Sequence, residues 1–130
     1  MAGLGVSVPF VPTFAPDEYV ALAREVESLG YRTAWIGETV GADAFTVMTL
    51  IAAATERLEM ATGVVPVQTR TPVVLGMTAA TIGHIAPGRF SLGLGVSSRA
   101  IVEQWNGLPF VRGLAQMREA VQVIRGVLSG

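Results

Sequence analysis

The 130-residue chain contains no cysteine, which excludes a disulfide framework, a thiolate nucleophile and a Cys-ligated metal site. Charge is scarce as well: nine basic and ten acidic residues give a formal net charge of −1, and the basic residues are scattered, so no nucleic-acid footprint is expected. The chain is 51% hydrophobic, yet glycine, threonine or charge interrupts every apolar stretch before the ~18 residues needed to span a bilayer. Membrane insertion is therefore not expected. Met1-Ala2-Gly3-Leu4 lacks a basic n-region and an apolar h-region, so no secretory signal is expected and a cytoplasmic location is compatible. Also missing are a phosphate-cradling Gly-x-x-x-x-Gly-Lys-Ser/Thr loop, a His-Glu-x-x-His metal helix and a Gly-x-Ser-x-Gly nucleophile elbow. No metal site is expected, and the hard chemistry of any enzyme built on this chain falls to a bound cofactor.

What is present is an alternation of strands and helices. Leu4 to Val8 reads as a short strand, and Pro16-Asp17-Glu18 then puts proline and two acids where a helix start favours them. Apolar residues recur at Tyr19, Leu22, Ala23, Val26 and Leu29, with Gly30 placed to end that helix. Thr33 to Gly37 reads as a second strand, and Asp43 caps an apolar helix from Ala44 to about Thr55. Leu58 to Val65 and Arg89 to Val96 are the third and fourth strands. A helix from Pro72 to about Ile85, with Thr71 as its cap, sets them side by side and parallel. Beyond them a short helix is expected from Ala100 to Trp105. Gly107-Leu108-Pro109 breaks it, and a last helix carries an apolar stripe of Leu114, Met117, Val121, Ile124 and Leu128. Arg118 and Arg125 belong to its solvated face. The fold class is α/β, about four parallel strands with outer helices. A (β/α)8 barrel needs about 250 residues and eight such units, so residues 1–130 amount to one incomplete barrel domain.

Ligands of parallel sheets sit beyond the carboxyl ends of the strands, which directs attention to Gly63-Val64-Val65 and to Gly95 through Ser98. Gly93-Leu94-Gly95 only loosely matches a dinucleotide fingerprint, because the third glycine is missing and the unit is the fourth. Ser97 and Ser98 offer hydroxyls and backbone N–H groups to a ligand at the next helix start. Glu38 closes the second strand, where a carboxylate points into the mouth of a barrel to orient a cofactor or move a proton. Thr39 beside it is a functional or a bystander residue with equal weight. His84 stands at the opposite end of the fold and reads as a capping or core-anchoring residue, and Arg89 as structural.

Ordered segments carry a family resemblance: Leu29-Gly30-Tyr31, Trp35-Ile36-Gly37-Glu38, Ala53 to Leu58, Thr62 to Pro66, Ala79 to His84, Pro87 to Phe90 and Leu92 to Gly95. Over nearly its whole length the chain resembles the N-terminal half of the luciferase-like monooxygenase superfamily, most closely the branch using the deazaflavin coenzyme F420. The resemblance implies a TIM-barrel oxidoreductase, usually a homodimer, that moves a hydride between F420 and a small organic substrate. FMN is the alternative cofactor, with monooxygenase chemistry. It further implies a bulge at Gly63-Val64-Val65 under the central ring, with a cis or distorted peptide between Gly63 and Val64. Glu38 falls where many relatives carry a ring-contacting aspartate, Thr39 where several carry a catalytic histidine, and Ser98 near a position acidic in some. Threonine hydrogen-bonds but supplies no proton near neutrality, which sets Thr39 apart. A rival expectation follows from length: a noncatalytic half-barrel that pairs with a second copy to cover its open face and edges.

Overall fold

The computed structural model describes residues 3–9 and 14–130; Met1 and Ala2, which enter the reading for an export signal, lie outside the described residues. Four parallel strands, β1 (Gly5–Ser7), β2 (Thr33–Ile36), β3 (Glu59–Thr62) and β5 (Phe90–Ser91), form one sheet in the order β1-β2-β3-β5. A two-stranded parallel ribbon, β4 (Val65–Pro66) with β6 (Leu94–Gly95), follows β3 and β5 along the chain. Helices α1 (Pro16–Ser28), α2 (Ala44–Ala54), α3 (Pro72–Ile85) and α4 (Gly113–Ser129) complete the fold, with a π-helical turn at Ala100–Trp105.

Local signals act where expected. The Glu18 carboxylate accepts from the Ala15 N–H ahead of α1, and Gly30 adopts the left-handed conformation (φ 81°) that ends it, while Leu29 is exposed. Asp43 caps α2 by accepting from the Thr46 N–H at 2.7 Å and the Thr46 hydroxyl at 2.8 Å. Thr71 occupies the cap position of α3, but its hydroxyl makes no capping bond.

One face of the sheet packs against the helices through Ala34, Ile36 and Met60, with Val26, Met48, Ile51, Leu75 and Ile82 in the same buried cluster. On the opposite face Trp35 remains 45% exposed, in register with Ser7 on one side and Ala61 on the other. At the amino ends of the strands, Arg89 donates to the carbonyls of Leu58 (3.0 Å) and Ala52 (3.1 Å) and to the Thr55 hydroxyl, tying the end of α2 to the sheet. Glu27 does the same from α1: one of its carboxylate oxygens accepts from the N–H groups of Glu56, Arg57 and Leu58 at 2.6–3.0 Å.

Several expectations need correction. The third and fourth strands are each interrupted rather than continuous over 58–65 and 89–96. Three residues, Thr62 to Val64, separate the paired segments on one side, whereas two, Leu92 and Gly93, separate them on the other. This extra residue is a bulge, and it coincides with a cis peptide between Gly63 and Val64. The stripe of α4 is also displaced. Ala120 and Ile124 are buried and Met117 packs on the core, but Leu114 and Leu128 are exposed, because Val127 is the residue that reaches α3 at Gly76. His84 is exposed in the last turn of α3 and does not anchor the core.

Candidate functional site

Three strand ends converge on one cleft of about 370 Å³. Gly37, Glu38 and Thr39 follow β2, Gly63 and Val64 follow β3, and Gly95, Ser97 and Ser98 come from the end of β6 and beyond. All the site residues expected from sequence except Val65 thus line a single cavity. Val65 is fully buried in the core, because the bulge turns Val64 outward (43% exposed) and Val65 inward.

The glycines in this region are dictated by close approach. A Cβ on Gly93 would stand 2.0 Å from the Thr62 carbonyl oxygen, and one on Gly95 would stand 2.6 Å from a Val64 methyl. The Gly-x-Gly spacing is therefore explained by the approach of the neighbouring strand. Thr62 fills the bulge: its buried hydroxyl donates to the Gly93 carbonyl at 2.9 Å and accepts from the Gly93 N–H at 2.7 Å. Ser97 holds a left-handed backbone (φ 60°), and its Oγ is buried without a hydrogen-bond partner. The Ser98 hydroxyl instead accepts from the Ile101 N–H at 3.4 Å at the start of the π-helical turn.

Glu38 is more constrained than a free carboxylate at a barrel mouth. Both of its oxygens accept from the forked guanidinium of Arg70, Nη2 at 2.9 Å, and Oε2 also accepts from the Ala44 N–H at 3.2 Å. Arg70 donates in addition to Asp43, and its guanidinium lies 5.1 Å from the centre of the Phe45 ring. The hydrogen bond from Arg70 to Glu38 is the largest cause of the raised Arg70 pKa; burial opposes it, and the charges of Glu38 and Asp43 add to it. Burial acts to raise the Asp43 pKa, but the hydrogen bonds from Thr46 and the Arg70 charge outweigh it and hold the carboxyl below its usual range. Glu38 and Thr39 also line an adjoining cleft of about 320 Å³ with Asp43, Arg70 and Asn106. Sequence reading missed Arg70, although it is the only Asp, Glu, Lys or Arg between residues 60 and 88.

The whole, a parallel α/β sheet with helices on one face and a cleft at the strand ends, is the architecture of part of a (β/α) barrel. The chain belongs to the luciferase-like monooxygenase family, whose sequence profile it matches over residues 3–130. It is 34% identical over 124 residues to a putative coenzyme F420-dependent oxidoreductase of Mycobacterium tuberculosis, a match covering 95% of this chain and 36% of that protein. Its fold superposes on the coenzyme F420-dependent tetrahydromethanopterin reductase of Methanopyrus kandleri with a TM-score of 0.80 at 26% identity, covering 94% of this chain and 39% of that one. A type II Baeyer–Villiger monooxygenase of Pseudomonas putida, solved with FMN, shares the fold at a TM-score of 0.84 and 16% identity, covering 96% and 40%. The chain spans little more than a third of the length of these relatives, and its sheet corresponds to half of their TIM barrel.

Proposed function

We propose that the chain builds the floor of a deazaflavin site in an F420-dependent oxidoreductase that acts on a small organic molecule. The observation that carries this reading is the single cleft in which the exposed Val64 and Gly63 meet Gly95, Ser97 and Thr39. An apolar patch at Val64 bordered by hydroxyls suits a planar heteroaromatic ring with a polar edge. The unpartnered Ser97 Oγ supports the fit, since buried polar atoms are rarely left without a partner. F420 when bound supplies hydride transfer. Val64 would back the ring and exclude water from it, while the Ser97 hydroxyl would hold its polar edge. Thr39 would orient substrate by hydrogen bonding. Glu38, engaged by Arg70 and Ala44, would act as a fixed acceptor and negative charge, leaving proton supply to groups other than Glu38 and Thr39.

Equilibrium titration with F420 and with FMN, each followed by cofactor fluorescence, tests the reading. Tighter binding of F420, weakened by Val64→Asp, is expected; tighter binding of FMN, or no binding of either, would overturn it.

We further propose that the protein is a homodimer joined through α2 and α3. Neither helix carries an aspartate, glutamate, lysine or arginine, and α3 presents Val73, Val74 and Met77 to solvent, the last 58% exposed. An uncharged helical face of this kind is ordinarily covered.

A further inference from the structure

A second cleft, of about 620 Å³, opens between the loop joining β4 to α3 and helix α4, and it shares no lining residue with the cleft of Val64 and Ser97. Its walls are largely apolar, formed by Val67, Leu108, Pro109, Ala120 and Val123. Two glutamines line it, Gln68 from the loop and Gln116 from α4. Three of the four buried side-chain polar atoms without a partner among the described residues belong to them: Gln68 Nε2, Gln68 Oε1 and Gln116 Oε1. Native structures leave few such atoms unpaired, because each forfeits its hydration for nothing in return.

The orphaned atoms define a complementary group. Gln68 offers an NH2 donor group and a carbonyl acceptor side by side, and Gln116 offers an acceptor. A primary carboxamide carries one acceptor and two N–H donors, so its carbonyl matches Gln68 Nε2 and its two hydrogens match Gln68 Oε1 and Gln116 Oε1. A carboxylate would set acceptor against acceptor at two of the three places. Charge in the cleft is already committed, Arg70 to Glu38 and Asp43, and Glu119 to Arg112 at 3.4 Å. We propose that this cleft binds a neutral small molecule bearing a primary carboxamide on an apolar body. The proposal does not depend on which cofactor occupies the strand-end cleft.

Benzamide is the probe and benzoate the control, each titrated into the folded chain while the glutamine side-chain amide resonances are followed by NMR. Benzamide should shift the Gln68 side-chain resonances saturably, and benzoate should bind roughly tenfold more weakly. Gln68→Met and Gln116→Met should each weaken benzamide about tenfold, the loss expected for hydrogen bonds to a desolvated partner. Their melting temperatures should match or exceed that of the parent, since an apolar chain of similar length replaces an unpaired amide. The proposal is overturned if benzamide leaves Gln68 unshifted, if benzoate binds equally well, or if the variants bind benzamide like the parent. A large fall in melting temperature in both variants would also overturn it, by showing the amides to be engaged in the fold.

Discussion

The Thr62 hydroxyl both donates to the Gly93 carbonyl and accepts from the Gly93 N–H, so one side chain supplements the backbone ladder, in which the same carbonyl accepts from the Val65 N–H at 2.9 Å, where β3 gives way to the bulge. That exchange lets the strand end carry Gly63 and Val64 into the cleft without leaving buried backbone groups unpaired. Replacing Thr62 with valine keeps the shape and leaves the Gly93 N–H without its partner, while the Gly93 carbonyl keeps the Val65 N–H at 2.9 Å. We expect Thr62→Val to lose about 1–3 kcal/mol in chemical denaturation, with Thr62→Ser largely restoring it. Equal stability of all three proteins would show that the pair is incidental.

Glycines 93 and 83 should respond to alanine with opposite signs. At Gly93 the new methyl meets backbone at 2.0 Å, which no side-chain adjustment relieves, whereas at Gly83 in α3 it meets nothing. Gly93→Ala should therefore destabilise by more than about 2 kcal/mol, and Gly83→Ala should stabilise by up to about 1 kcal/mol through helix propensity. Thermal melts of the two variants beside the parent decide this.

The Arg70 clamp predicts a third result. Arg70→Met leaves Glu38 and Asp43 close together without their shared cation, and should cost about 2–3 kcal/mol, below the value for a fully buried pair because Arg70 retains some solvent access. Removing the carboxylate as well, in Arg70→Met with Glu38→Gln, should recover part of that loss. A double-mutant cycle with no coupling between positions 38 and 70 would contradict the clamp.

Acid should unfold the protein partly through Glu27 and Asp43. Burial acts to raise the Glu27 pKa, but its three backbone hydrogen bonds and the Arg57 charge outweigh this and hold it below its ordinary value of 4.5; Asp43 lies below 3.8. A depressed carboxyl stabilises the fold above its unfolded pKa, and that stability is lost as pH falls through the folded one. Stability should accordingly be level near neutrality and fall as pH drops below about 4. Glu27→Gln should lower the neutral plateau and flatten the acid limb. An unchanged acid limb in that variant would remove Glu27 from the account.

What the sequence made legible is what neighbouring residues settle among themselves: the proline start of α3, the Asp43 cap, the Gly30 stop and the alternation of strands and helices. The convergence of Gly63, Gly95 and Ser97 was legible too, because parallel strands bring their carboxyl ends to one side. Partnerships across some thirty residues were not. Arg70 reaches Glu38, and Glu27 reaches the backbone of residues 56–58, through contacts that no local period announces. The bulge left only a partial trace, since its extra residue is visible once the two strands are paired and not in either strand alone. The α4 stripe was displaced because Gly76 leaves room for Val127, a fact about two helices together.

Sedimentation velocity tests the dimer. The parent should sediment as a two-chain species, and Met77→Glu, which sets a charge on the exposed face of α3, should shift it to one chain. A parent that stays monomeric at micromolar concentration would contradict the proposed interface.

The central claim, that the strand-end cleft holds a deazaflavin, is tested most directly by mapping backbone amide shifts as F420 is added to the isotopically labelled protein. The account predicts saturable shifts clustered at Gly63, Val64, Gly95, Ser97 and Ser98, with the resonances of Gln68 and Gln116 unmoved. Shifts confined to the cleft between the β4–α3 loop and α4, or absent at Val64 and Ser97 throughout the titration, would contradict it.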